Sequence, residues 1–178
     1  NTATYGGGYY CHTTPTTLTN NTFYANAAQT GGGLYTYVAP ITLNNSIFWS
    51  NTATGDAGIA YADMIRVGGS YTTNNNLFQL PETSYNAANG IGFSTNVANL
   101  FAADPLFVNS SDPDGADNIW RTADDGLQLR CASPAVAAGT NTGTTATDIV
   151  GNPRTRFGTA DIGAYESMMH TATLPVAS

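Results

Sequence analysis

The sequence contains no lysine. Its five basic residues are all arginines, set against twelve aspartates and glutamates, which gives a net charge of −7. Nucleic acids and anionic membranes are bound mainly through basic side chains that neutralise phosphate charge, so this composition argues against both as partners and makes cations better candidates. No apolar run reaches about 18 residues, which argues against insertion into a membrane as a helix.

Cysteine is scarce as well. The two cysteines, Cys11 and Cys131, are too few for the disulfide framework of a small secreted domain. The chain instead has 178 residues, 42% of them hydrophobic and 11% aromatic, which is enough for a folded domain with a substantial core. No signal peptide precedes the first motif, so we expect a mature or trimmed product.

An internal repeat dominates the first half of the chain. The segment PTTLTNNTFYAN at 15–26 recurs as PITLNNSIFWSN at 40–51, and GGGYY at 6–10 recurs as GGGLY at 31–35, both at an offset of 25 residues. After an insertion of five residues, TNNNLFQ at 73–79 matches the second copy at an offset of 30. So many matches at one offset indicate a repeating structural unit.

The unit has the character of short strands. Polar and apolar residues alternate between glycine and asparagine turns, and no apolar stripe with a period of about 3.6 residues is long enough for a helix. A unit of about 25 residues with two or three short strands is typical of one coil of a parallel β-solenoid, whose coils stack at roughly 4.8 Å. We therefore predict an all-β solenoid. A globular β-sandwich is the alternative, but it would not require this register.

The register also predicts which side chains stack. The 25-residue offset places Leu34 beside Ile59, and the glycine triplets allow tight corners at positive φ. We expect three apolar columns that face one continuous core, and one column of turn asparagines whose amides bond the backbone and their neighbours above and below. The columns are Leu18/Leu43, Phe23/Phe48/Phe78, Thr22/Ile47/Leu77 and Asn20/Asn45/Asn75.

Several motifs carry a family resemblance. Beside the repeated coils, the chain contains DPLFVN at 104–109, DDGLQLRCASPAVAAGT at 124–140 and DIVGNPRTRFGTADIGAYE at 148–166. In this order they resemble bacterial secreted right-handed parallel β-helix proteins of Bacteroidota and their relatives, which have repeats like those of polymorphic outer-membrane proteins and often end in a choice-of-anchor Q domain. The resemblance implies a right-handed parallel β-helix with an atypical C-terminal capping region, at an extracellular or cell-surface location.

This resemblance suggests a division of the chain into three parts. Residues 1–80 would form regular coils, 81–166 the terminal coils and a cap with ADIGAYE as a final strand, and 167–178 a linker or tail. Because Gly6 already belongs to a coil, we expect upstream coils or another molecule to cover the first coil, and self-association through this uncapped N-terminal coil is one possibility.

Five carboxylates are concentrated in the stretch DPDGADNIWRTADDG at 112–126, where Arg121 is the only local basic residue. Calcium takes six to eight oxygen ligands, and a DxDGxD turn with Gly115 at the bend supplies several at short range. Without a cation the carboxylates would repel one another. We therefore predict a calcium site here. A solvated acidic loop is the alternative, and catalysis is a third reading. The predicted ligands are Asp112, Asp114, Asp117, Asp124 and Asp125.

Enzymatic readings have less support. Parallel β-helices include pectate lyases and polygalacturonases, but a lysine base is absent, and the GHG and RIK motifs of polygalacturonases do not occur. Asp63 and Arg66 could face a groove together, although a surface pair beside the insertion is the preferred reading. His12 and His170 are too far apart in sequence to favour a shared metal site.

The ten tyrosines allow either core packing or stacking on sugar rings, and we favour packing. Six of them lie in the coil region: Tyr5, Tyr9, Tyr10, Tyr24, Tyr35 and Tyr37.

Two further expectations concern the C-terminal region and the thiols. Arg154 and Arg156 should pair with acidic residues, as ion pairs that clamp the terminal coil or, alternatively, as a catalytic acid/base group. Cys11 and Cys131 should lie too many coils apart to bond, each as a small buried hydrophobic residue. The acidic candidates for the arginines are Asp148, Asp161 and Glu166.

The sequence as a whole favours a structural β-helix over an enzyme. We expect a calcium-stabilised, adhesin-like or filament-forming protein at the cell surface or outside the cell. The alternative is a β-helix that binds or degrades carbohydrate, with a surface glycan as its partner.

Overall fold

The computed structural model describes residues 1–55, 60–87, 93–156 and 158–167. In these ranges the protein is all-β, as predicted, with fourteen short strands and two short helices. The helices are α1 (Ala60–Asp63) and α2 (Glu82–Ala87). The strands are β1 (Thr2–Tyr5), β2 (Tyr9–His12), β3 (Thr16–Thr19), β4 (Thr22–Tyr24), β5 (Ala27–Thr30), β6 (Leu34–Tyr37), β7 (Ile41–Asn44), β8 (Ile47–Trp49), β9 (Thr52–Ala53), β10 (Met64–Val67), β11 (Tyr71–Asn74), β12 (Leu77–Phe78), β13 (Phe93–Val97) and β14 (Leu100–Phe101).

The strands form four parallel sheets, each of which takes one strand from successive repeats. Their orders are β1-β5-β9, β10-β6-β2, β13-β11-β7-β3 and β14-β12-β8-β4. Strands that follow one another in sequence therefore lie in different sheets, while equivalent strands of neighbouring repeats pair directly. This arrangement is compatible with a parallel β-helix.

The pairing register follows the repeats seen in the sequence. Leu18 pairs with Leu43, the predicted offset of 25, and Phe48 pairs with Phe78, the predicted offset of 30. The final rung is shorter, because Leu77 pairs with Leu100. The prediction that Leu34 lies beside Ile59 is wrong.

Leu34 pairs with Met64, whereas Ile59 lies outside the described residues. Ala28 still pairs with Ala53 at the offset of 25, so the five extra residues enter between Ala53 and Met64, before β10 begins.

The phenylalanine column forms the inner core. Phe23, Phe48 and Phe78 stack with ring centroids 4.5 and 5.5 Å apart, and Phe101 continues the stack at 5.4 Å. Phe48 and Phe78 are fully buried. Leu18 and Leu43 pack into the same cluster, so these two predicted columns are confirmed.

The third predicted column does not face this core. Ile47 and Leu77 belong to a second cluster together with Leu127, Ile162 and Tyr165. The physical reason is the pleat of the strand, because Ile47 and Phe48 are adjacent and must point to opposite faces of the sheet. The sheet β14-β12-β8-β4 is therefore buried on both faces.

The chain after β14 covers the face of the sheet β14-β12-β8-β4 on which Ile47 and Leu77 lie. In the described part of 102–167 it forms no strand, and its only bridges are the isolated antiparallel pairs Phe107–Leu129 and Thr147–Pro153. The predicted final strand in ADIGAYE is therefore wrong. This segment, hereafter the C-terminal segment, packs beside the strands through its side chains and turns, so it adds no rung to the ladder.

The turn asparagines attach the C-terminal segment to the repeats. Asn20, Asn45 and Asn75 have φ values of 56, 47 and 52°, a left-handed conformation that asparagine tolerates better than most residues. Asn45 Nδ2 donates to the Thr140 carbonyl at 2.7 Å, and Asn45 Oδ1 accepts from the Thr140 amide at 2.8 Å.

The other two turn asparagines each donate to the C-terminal segment, Asn20 to the Asp161 carbonyl and Asn75 to the Ala138 carbonyl. The predicted turn is thus right, but the partner is wrong: these amides bind the C-terminal segment, and they do not bind one another.

Other asparagines make the contacts between rungs that were expected of this column. Asn51 Oδ1 accepts from the Asn26 amide at 3.1 Å, while its Nδ2 donates to the Phe23 carbonyl at 2.9 Å. Asn76 does the same one corner away, where it joins the Ser46 amide to the Leu43 carbonyl. These buried amides satisfy backbone groups at corners where the strand ladder is interrupted.

The glycine triplets act as predicted at their first positions, since Gly6 and Gly31 have φ values of 59 and 64°. Both cysteines are free: Cys11 is buried, but Cys131 is exposed in the C-terminal segment. The expectation of two buried thiols is therefore right only for Cys11.

The docking of the C-terminal segment can be tested at Asn45. Asn45→Gly keeps the positive φ but removes both hydrogen bonds to Thr140, which should lower the free energy of unfolding by about 2 kcal/mol. Urea unfolding measures this loss, and hydrogen exchange should show reduced protection of the Thr140 amide.

Asn118→Gly is the matched control, because Asn118 also has a positive φ but is exposed. It should change stability by less than about 0.5 kcal/mol. Equal effects of the two substitutions would contradict the proposed docking.

Candidate functional site

The acidic loop at 112–126 lies in the C-terminal segment, where Asp125 is a structural residue. Its side chain is 1% exposed. Its Oδ2 accepts hydrogen bonds from the Tyr165 hydroxyl at 2.6 Å and from the Arg121 amide at 2.8 Å. Burial raises the pKa of the Tyr165 hydroxyl above its ordinary range, and the neighbouring Asp125 carboxylate raises it further. Asp125 therefore ties the loop to the second core.

Asp117 and Asp124 close the loop on itself. Asp117 Oδ1 accepts from the Ile119 amide at 2.8 Å, and Asp124 Oδ1 accepts from the Thr122 hydroxyl at 2.7 Å. The Thr122 hydrogen bond lowers the pKa of the exposed Asp124 carboxyl. Gly115 makes the bend, with a φ of 71° and a Cβ position that would lie 2.6 Å from the Asp124 carbonyl oxygen.

The five predicted calcium ligands do not converge on one point. All of them lie in the described residues, where no group of three or more histidine, cysteine or acidic side chains is arranged to hold a metal ion. Asp112 and Asp114 are half-buried, and Asp125 is held by Tyr165. In the described arrangement calcium would require the loop to rearrange, and it stays a prediction for all five residues: Asp112, Asp114, Asp117, Asp124 and Asp125.

The predicted ion-pair cluster forms around Arg154. Arg154 Nη1 lies 3.0 Å from Glu166 Oε1, and both side chains are almost fully buried. Arg154 also donates to the carbonyls of Gly163 and Ala164, so it anchors the C-terminal segment to itself. The expected ion pair is confirmed for Arg154 and Glu166, but it clamps the C-terminal segment, because the described residues around it form no strand.

The other acids of the cluster bind backbone amides. Asp161 accepts from the amides of Ala137 and Ser167, and Asp148 accepts from that of Glu166. Burial raises the pKa of Glu166 to about 7, with a further rise from Asp161 and an opposing effect of Arg154.

A buried carboxylate that the sequence did not reveal lies at Asp63. It is 1% exposed, accepts from Asn51 Nδ2 at 3.0 Å and accepts from the hydroxyl of Tyr85, which is fully buried on α2. Burial raises the pKa of Asp63 to about 6, while these two hydrogen bonds lower it. The predicted surface pair of Asp63 with Arg66 is wrong, because the end of α1 turns Asp63 into the core. Arg66 instead donates to the Gly69 carbonyl and lies 6.0 Å from the Tyr71 ring.

The coil tyrosines divide between packing and exposure. Tyr9 packs against the inner core, Tyr24 against the second core, and Tyr35 is 9% exposed.

Tyr5, Tyr10 and Tyr37 are 51, 48 and 40% exposed. Tyr10 stacks on Tyr35 at 5.5 Å, and His12 stacks on Tyr37 at 5.0 Å, so Tyr10 and Tyr37 each have one face against a neighbouring ring. The packing interpretation is right for about half of the set. His170, the other histidine considered for a metal site, lies outside the described residues.

Comparisons with known proteins leave the family open. A scan against protein-family models, a search of the curated proteins and a search of the solved structures each found no match to this chain. In the ranges that the structure describes, neither helix is long or apolar enough to cross a membrane. The resemblance to secreted β-helix proteins therefore stays an interpretation of the motifs.

Removal of divalent cations tests the acidic loop. If calcium binds there, EDTA should lower the melting temperature, because bound ligand stabilises the folded state by mass action. Asp114→Ala should abolish this sensitivity, whereas Asp104→Ala, which removes an acidic residue outside the loop, should retain it. A melting temperature that EDTA leaves unchanged would identify the loop as a solvated turn.

The buried Asp63 predicts a pH dependence of stability. Its pKa is about 6 in the folded chain, against 3.8 for an unperturbed aspartate, so its contribution is fully present below about pH 4 and is lost as the pH rises through about 6. The loss over this window should be about 3 kcal/mol. The free energy of unfolding should therefore differ between about pH 4 and about pH 7.5 by about 3 kcal/mol less in Asp63→Asn than in the parent chain.

Urea unfolding at the two pH values measures the difference, and Asp104→Asn controls for the loss of one acidic group. A variant Asp63→Asn that keeps the full pH dependence of the parent would show that Asp63 does not titrate in this window.

Proposed function

We propose that this chain is a structural right-handed parallel β-helix with coils of about 25 residues, from a secreted or cell-surface protein of the adhesin-like or filament-forming kind. It carries no catalysis of its own. Calcium would stabilise the acidic loop. The role of the chain is to present a rigid, repetitive surface and to associate with a second copy through its first coil.

The observation that carries the proposal is the common edge of the four sheets. Strands β1, β2, β3 and β4 each lie at one end of their sheet, and all four belong to the first repeat. Among the described strands each of them pairs on one side only. Unpaired strand edges are templates for further pairing, and here four of them lie at one end of the described stack of strands.

The chemistry of this end suits a second protein chain better than a charged ligand. Strands β1 to β4 contain no acidic residue and no arginine, and every residue of β1 is exposed. The aromatic columns end here too, at Tyr10 and His12, whose stacked partners lie one repeat further along. Another coil with the same pattern would extend both the hydrogen-bonded ladders and the ring stacks.

The composition suits the proposed solenoid. Few charges and many threonine, asparagine and glycine residues suit a chain whose polar groups are satisfied by ladders and turns. The proposed location outside the cell depends on the motifs that resemble those of secreted β-helix proteins.

A carbohydrate-binding or polysaccharide-degrading β-helix is the second candidate. The exposure of Tyr5, Tyr10 and Tyr37 favours it, since aromatic rings stack on sugars. The stacked arrangement of these rings counts against it, because one face of Tyr10 and one face of Tyr37 already pack against a neighbouring ring. A surface glycan would have to bind through the remaining face of these rings, their edges and their hydroxyl groups.

Light scattering after size exclusion, at increasing protein concentration, tests the self-association. We expect the mass to rise above that of one chain, and the double variant Thr4→Lys/Thr17→Lys, which places charges on the exposed edge of β1 and β3, should suppress the rise. Thr142→Lys/Thr155→Lys, which adds the same charge at exposed positions outside the strands, is the matched control and should have no effect.

A monodisperse monomer at every concentration would contradict association through the first coil. Release of reducing sugar or unsaturated product from an acidic polysaccharide would contradict the structural role and support the second candidate.

A further inference from the structure

The two ends of the described stack of strands offer different sets of edges. At the first end all four sheets finish with a strand of the first repeat, β1 to β4. At the other end only two sheets reach the last repeat, with β13 and β14, while the other two finish one repeat earlier, with β9 and β10. Among the described strands, the first repeat therefore has four free edges and the last repeat has two.

In the last repeat the helix α2 occupies the place of the two missing strands. In the described residues α2 is the only element between β12 and β13, where the earlier repeats carry a strand of each of the first two sheets. Its Tyr85 is fully buried, and the ring lies 5.2, 5.9 and 6.1 Å from those of Phe78, Phe93 and Phe101. This part of the core is thus filled by a side chain of a helix, which offers no strand edge for further pairing.

The last strand of the longest sheet is also irregular. Tyr71 pairs with Phe93, but the next residue, Thr72, pairs with Thr95, so the register shifts by one residue within β13. A bulge of this kind makes an edge strand a poor template for another strand. The strands β1 to β4 instead pair with β5 to β8 at a constant offset of 25 residues, without such a shift.

The first repeat leaves inward-facing apolar side chains open to solvent. Leu18 is half-buried, whereas its partner in the next repeat, Leu43, is fully buried. Ala3 is exposed, whereas its partner Ala28 is only 5% exposed. These positions differ because the first repeat has a neighbour on one side only. One more layer would bury this apolar surface and so stabilise the assembly.

The size and the charge of this end suit a second copy of the chain. The first repeat has 25 residues, and each side of a stable protein interface of standard size contributes about 20 to 30 residues. The sequence contains no acidic residue and no arginine before position 56. Two copies therefore meet at their first repeats without repulsion between charged side chains, although each chain has a net charge of −7.

A second copy matches all four edges only with its own first repeat. Its last repeat would pair with two of them at most. Such a head-to-tail contact would also leave a free first repeat on every added chain and continue into a filament. Two first repeats that face each other match four edges with four, and the contact is closed because each chain uses this surface once. One chain is then turned over relative to the other, so the facing strands run antiparallel, which is a slightly more stable pairing than the parallel one.

We propose that two chains meet head to head at their first repeats and form a closed dimer, in which the edges of β1 to β4 pair antiparallel with those of the second copy. This proposal rests on the association through the first coil proposed above, and it selects a closed dimer over a filament.

Distances between identical spin labels on the two copies distinguish these arrangements. Thr42 on β7 and Thr95 on β13 both pair with Thr72, so they lie in one column of the same sheet, two repeats apart. Each is replaced by cysteine in the full chain and labelled with a nitroxide. Cys131→Ser removes the exposed native thiol, whereas the buried Cys11 is kept. Pulsed electron paramagnetic resonance measures the distance between the labels, and a melting curve confirms that each labelled variant folds.

In a head-to-head dimer the distance grows with each repeat away from the interface. Each repeat moves both labels outward by about 4.8 Å, so their separation along the stack increases by about 10 Å. We therefore expect the distance for Thr95→Cys to exceed that for Thr42→Cys by about 10 to 20 Å. Light scattering should show a mass that levels off at two chains as the protein concentration rises.

The charged variants show whether the measured distance comes from the first repeat. Thr4→Lys/Thr17→Lys should remove the dipolar signal of both labelled variants, because charge on this edge opposes pairing. Thr142→Lys/Thr155→Lys adds the same charge at exposed positions outside the strands and should preserve the signal.

The possible outcomes separate this proposal from the self-association on which it rests. A mass that keeps rising beyond two chains, with equal distances for both labels, would reveal a head-to-tail filament, since every residue then moves by the same step. That result would overturn the closed dimer and leave association through the first coil intact. A dimer with the shorter distance for Thr95→Cys would place the last repeats at the interface and overturn both. A monomer at every concentration would likewise overturn both.

Discussion

The parallel pairing of equivalent strands in successive repeats is the constraint on which the rest of this structure depends. Once Leu18 lies beside Leu43, and Phe48 beside Phe78, the equivalent positions of successive repeats lie directly above one another. Identical apolar residues then stack into a continuous core, and each buried polar residue must find partners on the next rung. Asn51 and Asn76 do this with backbone groups of the neighbouring coil.

The second layer of the molecule follows from the pleat of one sheet. Because alternate residues point to opposite faces, a strand that directs Phe48 to one side of the sheet must direct Ile47 to the other side. The C-terminal segment covers Ile47 and Leu77 with the second core. It uses left-handed turns such as that of Asn45 as attachment points, so the same corners that end the strands also hold the segment.

Buried carboxylates stabilise this second layer. Asp125 accepts from Tyr165, and Glu166 pairs with Arg154, while Asp161 accepts from backbone amides that no strand ladder serves. Such groups compensate for the absence of regular secondary structure in the described part of the C-terminal segment. Only 10% of the residues are charged, and many of these charged side chains are buried inside the fold.

The internal repeat predicts the strands, their parallel register and the phenylalanine column, because a repeat of about 25 residues fixes which residues stack and local composition fixes the turns. The sequence left open which of two arginines and three acids would pair. The folded chain shows in addition that Ile47 faces a second core, that Asp63 is buried against Tyr85, and that Asp125 is held by a tyrosine forty residues away. The reason is physical: repeats encode neighbours along the ladder, whereas the docking of a segment without strands depends on contacts between residues distant in sequence.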